Sequence, residues 1–155
     1  MIGDVDHSDR TRLHVISVSA VVLTRPDGAV VTVRKAGTDR FMLPGGKWET
    51  GESPLECAIR EVDEELGVTL HPDSVESLGR YITATANEPG FELVSEVFAA
   101  RLDGRPEPRA EIAEARWVPD EELQGIARLA EEDCAPWAPL LVRVAREHLV
   151  TRGER

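Results

Sequence analysis

Cysteine is scarce in this chain: Cys57 and Cys134 are the only two among 155 residues. Their spacing matches neither a metal knuckle nor a densely disulfide-stapled secreted domain, so both are expected as free thiols in a reducing cytoplasm. Basic residues are also short, 18 against 29 acidic, and the net charge of −11 excludes a binder of duplex nucleic acid or of an anionic membrane surface. The apolar stretch His14 to Leu23 falls short of the roughly 20 residues that a spanning helix needs, and it does not read as a signal peptide. His7, His14, His71 and His148 show no ligand spacing and take surface or packing readings. Aromatic content is only 5%, so any stacking surface must come from few side chains, with Trp48, Trp117 and Trp137 as the candidates and Trp117 reading as core.

What is present is enough for one domain with a real core: 41% of the residues are hydrophobic. Residues 1–13 are polar and expected to be frayed, 14–150 form the domain, and 151–155 are a polar tail. His14–Leu23 and Ala29–Val33, joined by Arg25-Pro26-Asp27-Gly28, predict a β-hairpin. A loop over 36–40 and a short extended Phe41-Met42-Leu43 follow. Ser74–Ala86 and Phe91–Leu102 predict a second antiparallel pair around the turn Asn87-Glu88-Pro89-Gly90. Residues 107–113 read as a loop, 115–118 as a short strand, and helices open at Pro119 and at Pro139, the latter running to Val150 with Leu140, Leu141, Val144, Ala145 and Leu149 on one side. Helices before and after a mixed sheet imply an α/β three-layer sandwich.

The densest information lies between Gly46 and Val68. Ser53-Pro54-Leu55-Glu56 is a capping box with proline at the first helical position, where its missing N–H costs nothing. Leu55, Ala58, Ile59, Val62 and Leu66 recur at helical spacing, and Gly67 supplies a left-handed stop, so a helix is predicted over about 54–66. Glu61, Glu64 and Glu65 then fall within about 100° of arc on another face. Two like charges at about 5 Å and an effective dielectric near 20 repel by roughly 3 kcal/mol, which a bound cation relieves. Oxygen donors without histidine or cysteine favour magnesium, with manganese as the alternative, over zinc. Ahead of the helix, Leu43-Pro44-Gly45-Gly46-Lys47 is expected to leave a short extended segment and turn sharply, with the Gly45 carbonyl free to approach a metal. The planar fork of Arg60 suits a carboxylate, and a pair with Glu52 would tie this loop to the helix as scaffold. Lys47, Arg34 and Lys35 supply local cations for an anionic substrate.

The string Gly46, five residues, Glu52, seven residues, Arg60-Glu61-Val62-x-Glu64-Glu65-x-Gly67-Val68 resembles the signature box of the Nudix hydrolases at every defining position. The resemblance implies the Nudix fold, an α/β/α sandwich with a central mixed sheet. It also implies magnesium-dependent hydrolysis of a nucleoside diphosphate linked to another moiety, with Glu61, Glu64 and Glu65 as metal ligands and Glu65 as the bridge between ions. A weaker likeness extends to Glu111-Ile112-x-Glu114-x-x-Trp117, an acidic loop and tryptophan that often precede the family's last helix. The general base varies within the family; Glu64, Glu111 and Glu114 are the candidates, and Glu111 is favoured. Phe41 and Trp137 are expected to border the substrate pocket, with Lys47 contacting substrate. The small size and the box near residue 50 resemble the single-domain members that act on a nucleoside triphosphate, canonical or oxidised. Members acting on ADP-ribose, nucleotide sugars or dinucleoside polyphosphates have similar lengths, and many members pair as homodimers. Two further readings are a nucleotide sensor without turnover and an isoprenoid diphosphate isomerase, which would use a cysteine and an acid.

Overall fold

A computed structural model describes residues 14–149 apart from 88 and 103. The expectations for 1–13 and 151–155 lie outside these residues. In chain order the elements are β1 (His14–Thr24), β2 (Val30–Lys35), β3 (Gly45–Lys47), α1 (Pro54–Leu66), a single 3₁₀ turn (Pro72–Ser74), β4 (Glu76–Ala84) and β5 (Phe91–Arg101). Then come β6 (Ile112–Val118), α2 (Asp120–Ile126) and α3 (Pro139–Val144), which continues as a π-helical turn over Ala145–Leu149. The strands form one six-stranded mixed sheet in the order β4-β5-β1-β2-β6, with β3 also on β1.

β1 organises the sheet because it is apolar on both faces. Val21 and Leu23 join Val31, Val33, Ala58, Val62 and Leu66 in the layer under α1. Ala20 and Val22 point the other way, into a second core with Leu123, Ile126, Leu141 and Val144 of α2 and α3. The period of two along β1 thus feeds two helical layers from one strand, which makes the three-layer sandwich. Val62 and Leu66 are fully buried, and each contributes roughly 1.5–3 kcal/mol by leaving water.

β1 runs parallel to β5 in unbroken register from His14↔Phe91 to Thr24↔Arg101. Its opposite edge is divided. β2 meets it at Thr24↔Val30, and β3 takes the middle of the edge at Ala20↔Gly45 and Val18↔Lys47. β2 instead pairs along its length with β6. The segment between β2 and β3 is laced to both neighbours, with the Val21 N–H donating to the Pro44 carbonyl and Met42 and Val33 exchanging two backbone bonds. β1 and β2 therefore splay, and the glycine segment lies in the gap.

Three boundaries differ from the sequence reading. Gly45 and Gly46 belong to a strand rather than to a sharp turn, because β1 offers them an unpaired edge. β6 starts at Ile112 rather than near 115, since β2 supplies partners down to Lys35↔Ile112. The last helix is not α-helical throughout: its register widens at Ala145. Among the described residues no helix is long and apolar enough to cross a membrane.

Candidate active site

The site is built around α1. Ser53 accepts a hydrogen bond from the Glu56 N–H while the Glu56 carboxylate accepts one from the Ser53 N–H, so the helix begins where the capping box places it. It ends at Gly67, whose φ of 69° is left-handed, and a Cβ there would stand 2.6 Å from the Arg109 guanidinium. Glycine takes this backbone conformation without strain and leaves the Arg109 side chain its place.

Glu61, Glu64 and Glu65 of α1 take different environments. Glu65 turns inward and is 2% exposed. Its Oε1 accepts from the Gly45 N–H at 3.0 Å, while Oε2 is buried without a hydrogen-bond partner. Burial pushes its pKa up to about 8, against the lowering effect of the Gly45 N–H. Glu61 is raised as well, mainly by burial. Glu64 is half exposed.

Arg60 joins these residues to the incoming loop. It donates to Glu52 through Nε at 2.6 Å and Nη2 at 2.9 Å, to Glu61 at 3.0 Å and to the Lys47 carbonyl at 3.1 Å. Both Glu64 oxygens lie 3.3 Å from Nη1. The hydrogen bond from Arg60 leads in holding the Glu52 carboxyl down at about 2. The pairing read from the eight-residue spacing is therefore present, in bidentate form. The crowding of three carboxylates expected from helical phase is not: Arg60 takes up Glu61 and Glu64, Glu65 faces Gly45, and among the described residues no three acidic, histidine or cysteine side chains converge as they stand on one cation position.

Both glycines are required by close approach. A Cβ on Gly45 would lie 2.1 Å from the Ser19 carbonyl oxygen, and one on Gly46 would lie 2.4 Å from the Glu61 carboxylate. The consequences differ, because the first obstacle is sheet backbone and the second is the end of a flexible side chain. Gly45→Ala is expected to break the β1–β3 pairing and cost roughly 1–3 kcal/mol in stability. Gly46→Ala is expected to leave thermal unfolding nearly unchanged and to lower turnover about tenfold by displacing Glu61. Denaturant titrations beside initial rates separate the two, and the reverse pattern would refute this division of roles.

A cavity of about 560 Å³ opens beside β3. Its polar lining includes Lys35, Lys47, Arg60, Glu61 and Glu111, and its apolar lining includes Ile16, Val18, Leu93 and Leu140. Lys35 Nζ is 3.8 Å from Glu111, whereas Arg34 pairs with Glu114 at 3.3 Å. Arg34 and Lys35 are adjacent on β2, and the pairing with β6 shifts register between them, from Arg34↔Glu114 to Lys35↔Ile112. Glu111 follows Ala110, a non-glycine residue with φ 54°. That turn is clipped to α1 by hydrogen bonds from Glu107 N–H to the Leu66 carbonyl and from Arg109 N–H to the Glu65 carbonyl.

Phe41 and Trp137 are not where the sequence reading put them. Both are buried, their rings pack 5.9 Å apart, and neither lines the cavity. Residues 41 and 137 form a bridge between the glycine segment and the start of α3, so these aromatics close the core. Trp48 lines the cavity instead, as does Ser19. Of the three tryptophans read from the sequence as stacking candidates, Trp48 is the one in the lining. Glu64 and Glu114 also lie outside the lining, while Glu111 is within it. Cys57 is buried beneath β3, its thiol directed at the Gly46 and Lys47 carbonyls at 3.4 and 3.5 Å.

The donor chemistry fits a hard divalent cation. Glu65 Oε2 is a buried carboxylate oxygen without a partner, Glu61 stands beside it on the helix, and the only nearby thiol, Cys57, is pushed up by burial, away from the thiolate that a softer ion prefers.

The family model for the NUDIX domain matches residues 13–140. This chain belongs to the NUDIX family. A MutT-like protein of Streptomyces ambofaciens is 33% identical to this NUDIX protein over 120 residues, 77% of this chain and 71% of that one. An isopentenyl-diphosphate Delta-isomerase of Dinoroseobacter shibae is 27% identical over 149 residues, 88% of this chain and 81% of that one. Among solved structures, the MutT protein of Methanosarcina mazei Go1 superimposes with a TM-score of 0.68 at 20% identity, covering 93% of this chain and 99% of that one. At that identity the likeness is one of fold, and it agrees with the sheet and helical layers described above.

Proposed function

We propose that this NUDIX protein is a magnesium-dependent pyrophosphohydrolase that converts a nucleoside triphosphate, canonical or oxidised, to the monophosphate and pyrophosphate. The observation that carries the reading is the buried, half-satisfied Glu65 carboxylate bonded to the Gly45 N–H, while Gly45 itself lines the cavity together with Lys35, Lys47, Glu61 and Glu111. Glu61, Glu64 and Glu65, with the Gly45 carbonyl, would hold the cation, Glu64 after release from Arg60. When bound, magnesium withdraws charge from the phosphoryl oxygens and makes water a better nucleophile near neutral pH.

The chain's own residues supply the remainder. Lys35 and Lys47 offset the charge of the phosphates as the P–O bond breaks. Glu111 accepts the proton of the attacking water, a role supported by its place in the cavity lining, from which Glu64 and Glu114 are missing. Arg60 and Glu52 keep the glycine strand at its distance from α1.

The likeness to an isomerase over most of the chain favours one second reading, rearrangement of an isoprenoid diphosphate. Against it stand the two cysteines, both buried and both with thiols raised by burial. One panel separates the readings: purified protein with magnesium, the canonical and oxidised triphosphates, ADP-ribose, a nucleotide sugar, a dinucleoside polyphosphate and isopentenyl diphosphate, with products resolved by chromatography and NMR. Pyrophosphate release from a triphosphate is expected. Rearranged isopentenyl diphosphate with intact nucleotides would replace the first reading by the second, and cation-dependent binding without products would make the protein a sensor.

A further inference from the structure

We propose that Trp48 is the stacking wall for the planar heteroaromatic group of the substrate, and so the residue that selects diphosphates carrying a base over those without one. The inference deepens the nucleotide reading above and rests on it.

Two independent observations carry it. Trp48 lines the cavity that contains Glu61 and Glu111, at a half-buried position. Its indole is also fixed in direction: Nε1 donates to Ser19 Oγ at 3.0 Å, and that hydroxyl donates onward to the Pro54 carbonyl at 2.7 Å. Ser19 is fully buried. The polar edge of the ring is thereby held in a chain of bonds running to the first residue of α1. The backbone that follows is fixed as well, because the Glu49 N–H donates to the Glu52 carboxylate that Arg60 grips.

Any tryptophan that leaves water needs a partner for its N–H, so it is the place of Trp48 in the cavity lining, with its ring direction already set by Ser19, that distinguishes it from a packing residue. Phe41 and Trp137 fill the core here, away from the cavity. What Trp48 adds is a large flat surface with its rotamer already chosen, close to the charged groups that would take a diphosphate. Pre-orientation lowers the ordering cost of binding. A base stacked on an aromatic side chain gains roughly 5- to 150-fold in affinity, whatever the base. With the lysines holding phosphates, a stacked ring would fix the other end of a nucleotide and leave the reacting phosphorus between them.

The test compares wild type, Trp48→Leu and Trp48→Phe on the four deoxynucleoside triphosphates and on 5-phosphoribosyl 1-diphosphate, which carries a diphosphate and no base. Thermal unfolding is followed on all three proteins. Trp48→Leu is expected to lose about tenfold in kcat/KM on the nucleotides, mostly through KM, and to lose at least about threefold less on the base-free compound. Trp48→Phe is expected to recover most of the loss. Equal losses on both classes, or a phenylalanine variant as impaired as the leucine one, would reduce Trp48 to a packing residue. Equilibrium dialysis with dGTP in calcium covers a protein without turnover. Binding by wild type that Trp48→Leu weakens keeps the stacking wall while removing the hydrolase reading, and no binding by wild type removes both.

Discussion

Glu65→Gln is expected to yield a folded protein whose magnesium-dependent turnover is lower by about two orders of magnitude or more. The side chain is almost wholly buried, and burial already favours its uncharged form. Glutamine removes the charge and keeps an oxygen that can accept from the Gly45 N–H, so β3 stays tied to α1. The capping box and the apolar stripe of the helix are untouched. What is lost is the carboxylate oxygen that no protein group satisfies. A second readout does not depend on catalysis. Magnesium should raise the Tm of wild type, because a ligand that binds only the folded state stabilises it, and the variant should show little such rise. Near-normal rates with magnesium, or an undiminished Tm shift, would remove Glu65 from the cation site.

Arg60→Ala should damage stability and activity together. The guanidinium is mostly enclosed and serves Glu52, Glu61, Glu64 and the Lys47 carbonyl at once. Its removal leaves three carboxylates of like charge with no cation among them, the situation in which breaking an enclosed ion pair costs most. A Tm lower by about 5 °C or more is expected for a domain of this size, with turnover reduced at least about tenfold as the glycine strand drifts from α1. Arg60→Lys keeps the charge but not the bidentate fork and should fall between the two. An unchanged Tm accompanied only by a higher KM would make Arg60 a substrate contact.

These two variants probe the part of the site that local sequence specifies well. The helix begins at a reciprocal cap and ends at a left-handed glycine, both set within a few residues, so its limits of Pro54 and Leu66 follow from sequence alone. Glu52 and Arg60 also fit, because a loop and a helix turn of fixed length bring a fork and a carboxylate together. The turn from β1 to β2 was legible for the same reason, its chemistry being contiguous, whereas the two strands pair only at Thr24↔Val30 beside it.

The readings that failed depended on what lies across the sheet. Helical phase puts Glu61, Glu64 and Glu65 on one side, but it does not say that Arg60 will claim two of them or that β3 will offer an amide to the third. Phe41 and Trp137 stand near the glycines and the last helix in sequence, yet each is the other's packing partner, and the open wall falls to Trp48. Glu111 and Glu114 look equivalent in a string of letters. A register shift and the φ of Ala110 turn one toward Lys35 and leave the other with Arg34.

Sequence by itself determined the family box, the limits of α1 and the Glu52–Arg60 tie, since each depends on spacings within one segment. The tertiary structure decided that two glycines become a strand, that Glu65 is buried beside them, and which acid and which aromatic reach the cavity. Those outcomes depend on which edge of β1 remained unpaired and on how far β1 and β2 splay, and both are fixed only when distant segments pack.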